Sequence, residues 1–278
     1  SDVYKRQVHS QYYKRSQLDS LTQSYQQYEG KESVNAILHI AETYIAFHLD
    51  SALFYSQLAK EKSKSIAYDW GVYKSIYCNA KVLTETGSLI EAKNMLKPIG
   101  IWFKAHGFEE DYIKTGLLYN TCLIRIEGKY KGKDLANQLL KDAQALNHPH
   151  LISHAWYNSH NTEESWRNDL NFATCLDSAK FYAEIAKDSL MLNRVKYMQL
   201  GDIFQSRDKT EQIRGFYNEA KRWENKYLIH SCLLNISKNF AVQGQLDSCT
   251  VIFNQSVQIL EEFNSKNSLR RSLNAMAH

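Results

Sequence analysis

A ten-residue phrase occurs twice in this chain. Asp50-Ser51-Ala52-Leu53-Phe54-Tyr55-Ser56-Gln57-Leu58-Ala59 returns as Asp177-Ser178-Ala179-Lys180-Phe181-Tyr182-Ala183-Glu184-Ile185-Ala186, with weaker echoes around Ala92, Ala136, Ile213 and Cys249. Recurrence on this scale constrains the fold more than any other feature. It requires a stacked array, because each unit can bury its apolar face only against its neighbours. With only 2 prolines and 11 glycines in 278 residues, the chain has little material for turns, so long helices must dominate. Charge gives no alternative class. Lys+Arg of 34 against Asp+Glu of 30 leaves +4, too slight and too dispersed for a nucleic-acid footprint.

Helix-length segments read in pairs: about 32–48 with 50–63, 66–85 with 88–104, 110–127 with 133–146, 150–160 with 177–190, 193–206 with 209–224, and 227–243 with 246–263. A further helical, aromatic-rich segment spans Val8 to Tyr28, ended at Glu29-Gly30-Lys31. Asp50, Asp134, Asp177 and Asp247 stand where second helices open and are expected to cap them. Residues Asn158 to Cys175 fit no repeat and read as an elongated loop or a displaced short helix.

The unit from His230 to Phe263 carries the clearest pattern. Leu233, Ile236, Ser237, Phe240, Gly244, Cys249, Phe253 and Ser256 fall at offsets 4, 7, 8, 11, 15, 20, 24 and 27 from His230 as 1. Small residues at 8, 20 and 27 let two helices approach, large ones fill the gap, and glycine at 15 permits the turn. Leu200, Gly201, Phe204, Tyr217 and Ala220 match the preceding unit, and Ile76, Ala80, Leu83, Gly87, Ala92 and Leu96 another. This resembles the tetratricopeptide repeat (TPR). Offset-20 residues at 52, 92, 136, 179, 213 and 249 are spaced 40, 44, 43, 34 and 36, so the first three intervals need longer helices or loops than a 34-residue repeat supplies.

The resemblance implies an all-α, right-handed superhelical solenoid of about six TPR-like antiparallel helix pairs over residues 8–265. Residues 266–278, including Leu269 to Leu273, start a further helix that is cut short. Residues 1–7 read as a non-native scar, since Asp2 to Gln7 is what one frame of a sequencing-adapter end would encode. The chain is then expected to begin in mid-protein.

Chemistry is sparse. The five cysteines (Cys78, Cys122, Cys175, Cys232, Cys249) include no C-x-x-C pair and read as buried thiols in a reducing compartment. The expected location is therefore cytoplasmic, with the periplasm as the alternative because the native N-terminus reads as missing. His148, His150, His154 and His160 form the one histidine cluster; His150 and His154 share a helix face at i and i+4. No adjacent cysteine or carboxylate completes a metal site, so the reading is a helix beginning at Pro149 with exposed histidines, and no metal or cofactor. Glu109-Glu110, Glu163-Glu164 and Glu261-Glu262 read as solvated surface, and no nucleophile elbow, phosphate loop or dinucleotide fingerprint is present. No enzyme is expected.

In TPR arrays the first helix of each pair lines the concave face through offsets 2, 5, 9 and 12. Carried over, the resemblance implies a binding groove at Lys74, Tyr77, Lys81, Arg125 and Lys238, with Asp202 opposing them. Such a mildly basic face suits an extended acidic peptide or protein segment. The lysine–asparagine carboxylate clamp of chaperone-binding members is absent, offset 5 holding Ile37, Tyr77, Leu118, Met198 and Leu234. Irregular arrays of this kind resemble the TPR regions of bacterial sensor kinases and transcription regulators. The implied function is a protein- or peptide-binding interaction or sensory module within a larger signalling protein, with a plain assembly scaffold as the alternative. No nucleic acid partner and no membrane span are expected.

Overall fold

The computed structural model describes residues 18, 22, 23, 25–45, 48–163, 170–201, 210–222 and 226–262. Among them are twelve α-helices and no strand. In chain order they are α1 (Gly30–Tyr44), α2 (Leu49–Ser65), α3 (Asp69–Thr86), α4 (Leu89–Ala105), α5 (Glu109–Glu127) and α6 (Lys129–Ala145). Then follow α7 (Pro149–His160), α8 (Leu170–Ala186), α9 (Ser189–Gly201), α10 (Thr210–Arg222), α11 (Lys226–Val242) and α12 (Leu246–Glu262). The expected pairs correspond to α1 with α2 through α11 with α12. The scar at 1–7, the truncated helix at 266–278 and Asp202 lie outside the described residues.

The long spacing comes from the helices. Residues with positive φ occupy the interhelix turns at Ala67, Gly87, Gly107, Gly128 and Asn147, at intervals of 20, 20, 21 and 19. Helices of 17 to 19 residues joined by turns of one to three residues set that interval, and two of them make a repeat of about 40 residues, against 34 for the standard unit. Several turns close identically. The N–H of Tyr68, Phe108, Asp188 and Gln245 donates to the carbonyl of Ser63, Phe103, Ala183 and Phe240 at 2.8–2.9 Å, the long bond of a Schellman motif. Gly244, at φ 74°, has the freedom this turn requires, whereas Ala67 and Lys187 adopt φ 50° and 54° despite their Cβ atoms.

The described residues divide into two compact units, one within Leu96–Asp202 and the other within Tyr13–Met95 and Ile203–His278. In the first, α5 packs on α6 and α7, α6 on α7, α7 on α8 and α9, and α8 on α9. Its core joins Ile113, Leu117, Leu139, Leu151 and Ile152, continued by Leu176, Ala179, Met191 and Val195 beside Trp156. In the second unit, α1 packs on α2 and α3, α2 on α3, α10 on α11, and α11 on α12. Contact with the next helix and the next but one is what repetition produces. All six offset-20 positions, Ala52, Ala92, Ala136, Ala179, Ile213 and Cys249, are buried.

Three local expectations are corrected. Asn158–His160 complete α7 and Leu170–Cys175 open α8, so nine of the twelve described residues of this segment belong to the flanking helices. Asp134 and Asp177 lie five and seven residues inside α6 and α8, too deep to cap them. Asp50 is in the first turn of α2, but its cap is His48, whose ring accepts the Ser51 N–H.

Candidate functional site

Side chains of the expected groove fall into two groups. Lys74, Tyr77 and Lys81 lie on α3, Arg125 on α5 and Lys238 on α11, all first helices of pairs. Lys81 and Arg125 are half-buried and Lys238 is exposed. Lys74 and Tyr77 differ from the expectation of an open face: both are 7% exposed. The Lys74 ammonium pairs with Glu42 of α1 at 3.2 Å and lies 4.8 Å from the Tyr77 ring centroid. Packing of α1 on α3 closes over these positions, and a cation so placed is held by a carboxylate and an aromatic face. Thr84, Thr115, Cys122 and Val195, at other inward offsets, are buried as well.

A second constellation forms where α7 meets the start of α9. Pro149 opens α7, as expected, and the one-turn spacing brings the His150 and His154 rings into a stack with centroids 4.4 Å apart. The carboxylate judged missing from the sequence is Asp188, one repeat length further on. Its Oδ2 lies 3.2 Å from His150 Nε2 and 3.1 Å from His154 Nε2, while Oδ1 accepts the Met191 N–H at 3.0 Å. Asp188 thus caps α9 with one oxygen and holds two imidazoles with the other. Its side chain is 1% exposed, against 26% for His150 and 29% for His154, so the histidines are not the exposed pair expected. His148 stands alongside, its Nε2 3.8 Å from Glu110.

Electrostatics follows from this burial. Desolvation, the largest influence, lowers His154 to about 4 against the hydrogen bond and charge of Asp188. For Asp188 burial is again the largest influence and would raise the carboxyl, but hydrogen bonds and charge from His150 and His154 together outweigh it and hold it below the ordinary carboxylate range. Desolvation likewise lowers His148, opposed by Glu110. The two Nε2 atoms and the carboxylate oxygen all lie within 4.8 Å of one another, a donor set of the kind that holds a divalent metal ion. Sequence could have pointed to Asp188 in two ways. Asp-Ser before a helix is an N-cap pattern, and its 34-residue separation from His154 matches a repeat period.

Surface character divides between the helix types. Among the described residues, the large exposed apolar side chains within helices fall mainly on second helices: Leu53 and Phe54 on α2, Ile90 and Ile101 on α4, Tyr130 on α6, Phe181 and Ile185 on α8, and Leu246 and Val251 on α12. First helices contribute Ile126 and Val242, in their last turns. Phe54 and Phe181 occupy the same place in the repeated phrase and are 61% and 57% exposed. No helix of the described residues is long and apolar enough to cross a membrane.

The sequence matches no protein-family model and no curated protein. Solved structures do resemble the fold. The apo form of RapI superposes with a TM-score of 0.64 at 12% identity, covering 90% of this chain and 94% of that one. Aspartyl phosphate phosphatase F from Bacillus subtilis gives a TM-score of 0.66 at 12% identity over 90% of this chain and 67% of that one. At this identity the likeness establishes the fold, an all-helical TPR-like repeat.

Proposed function

We propose that this chain is a protein- or peptide-binding helical repeat module, acting by binding and not by catalysis. It serves as the interaction or sensory region of a larger bacterial signalling or regulatory protein in the cytoplasm. The observation that carries this reading is the division of surface character. First helices present Lys81, Arg125 and Lys238 at least partly to solvent, while the large exposed apolar side chains fall mainly on second helices. An extended acidic segment suits the former, each cation contributing about 0–1 kcal/mol. The fold shared with RapI and with aspartyl phosphate phosphatase F supports a repeat scaffold.

Fluorescence anisotropy of labelled acidic, neutral and basic peptide pools tests the proposal. Acidic peptides should bind best, and their affinity should fall as salt rises. Lys81→Glu, Arg125→Glu and Lys238→Glu, made singly, should each weaken binding with the helical signal retained. Preference for basic peptides, or reversals that bind like the parent, would reject the assignment.

Phe54 and Phe181 favour a second reading, an assembly scaffold that docks protein partners on the second helices. Phe54→Ala and Phe181→Ala would then reduce partner capture while leaving acidic-peptide binding unchanged.

A further inference from the structure

The geometry points to a divalent transition-metal site, with zinc as the fitting ion, formed by His150 Nε2, His154 Nε2 and Asp188 Oδ2. Three features of the structure support it.

The first is donor chemistry. Two imidazoles and one carboxylate form a ligand set that zinc uses when a fourth position is left to water. Imidazole donors also select zinc, nickel and copper over calcium and magnesium, which prefer oxygen. The second is distance. Bond lengths of about 2.0–2.2 Å around a tetrahedral ion place donors about 3.3–3.5 Å apart. Asp188 Oδ2 already lies 3.1 and 3.2 Å from the two nitrogens, and all three donors fall within 4.8 Å. The two nitrogens must close to that spacing from within 4.8 Å, an approach of up to about 1.5 Å that rotation of the two part-exposed rings supplies.

The third is preorganisation. His150 and His154 sit one turn apart on a helix, and the α9 cap fixes the Asp188 carboxylate through Oδ1 and the Met191 N–H. That hydrogen bond leaves Oδ2 as the ligand oxygen and supplies the outer support that metal carboxylates use. Partial exposure of both imidazoles gives an entry path. Without metal the same atoms form a hydrogen-bonded staple from α7 to α9. With metal, each ring carries its proton on Nδ1 and the ion takes the place of the two Nε2 protons between nitrogen and oxygen.

Isothermal titration of chelator-treated, tag-free protein with zinc chloride tests the site, followed by cobalt(II) absorption as a report of geometry. Expected are one zinc per chain, a zinc-dependent rise in melting temperature, and intense tetrahedral cobalt bands. His150→Gln and His154→Gln should each weaken zinc by roughly tenfold or more, as loss even of an outer partner does. His148→Gln, altering the neighbouring ring, should bind like the parent. Asp188→Asn removes a helix cap as well as a ligand, so the histidine variants, with helical circular dichroism checked, carry the decision. Absence of saturable zinc binding by the parent would overturn the site. Folded His150 and His154 variants that bind as tightly as the parent, or equal loss in His148→Gln, would also overturn it.

Discussion

Replacing Ala179 with leucine probes the packing logic of the repeat at its best-defined point. Ala179 is fully buried, in a cluster with Leu176, Ala183, Met191 and Val195 that Trp156 and Tyr157 of α7 flank. Its carbonyl accepts the Ser153 hydroxyl across the α7–α8 contact at 2.7 Å, so a short side chain of α7 already reaches the main chain of α8 there. Three added carbons would gain about 0.8 kcal/mol each if room existed. None does, and overpacking of a close-packed interior costs about 1–3 kcal/mol. For a chain of this size each kcal/mol shifts the melting temperature by about 2–4 °C, which gives a loss of about 2–12 °C by calorimetry. Coupling between neighbouring repeats spreads the loss beyond α8. Phe181→Ala, two residues on and 57% exposed, serves as the control and should stay within about 0.5 kcal/mol. An unchanged or raised melting temperature for Ala179→Leu would refute the assignment of offset 20 to the helix–helix contact.

Acidification should destabilise the fold. His154 is lowered to about 4, and burial also depresses His39, His148 and His230. The unfolded chain therefore binds more protons once pH falls below about 6.5, and stability drops toward about 4. Asp188, depressed below its ordinary value, adds stability that is present above about 4 and is lost at still lower pH. Urea midpoints should be lower at pH 5 than at pH 7, and a midpoint that rises would contradict this. In the turns, Ala67→Gly relieves a left-handed residue at φ 50° and should stabilise by up to about 1 kcal/mol, whereas Gly244→Ala, at φ 74°, should cost about 1–2 kcal/mol. Thermal melts that move in the opposite directions would refute the turn assignment. All five cysteines are buried thiols, with Cys175 pushed up to about 11 and Cys232 to about 12 by burial. A chromogenic disulfide reagent should therefore leave the native protein nearly unlabelled and titrate five thiols in denaturant. Rapid native labelling would show these environments to be open.

Much of the fold was legible because repetition writes itself into local pattern. Ala52 and Ala179 hold the same place in matching phrases, Gly244 marks a turn, and apolar periodicity bounds the helices; all of these depend on residues a few positions apart. What was not legible depends on how helices pack. Lys74 sits at an offset that faces the open groove in a standard repeat. Here Glu42, from the neighbouring first helix, comes within 3.2 Å of it, a contact set by how α1 lies on α3. The His150–His154 face was visible, but its carboxylate arrives from 34 residues beyond His154, through the turn after α8. Aspartates were read as caps from their type, yet α6 and α8 begin earlier, at Lys129 and Leu170.

Hydrogen–deuterium exchange, with and without a saturating acidic peptide of about 12 residues rich in glutamate, is the most direct test of where this module binds. Such a peptide should slow exchange on first helices, in α3 around Lys81, in α5 around Arg125 or in α11 around Lys238. The second helices carrying Phe54 and Phe181 should exchange as before. Protection confined to α2 and α8, or none at saturation, would contradict the account.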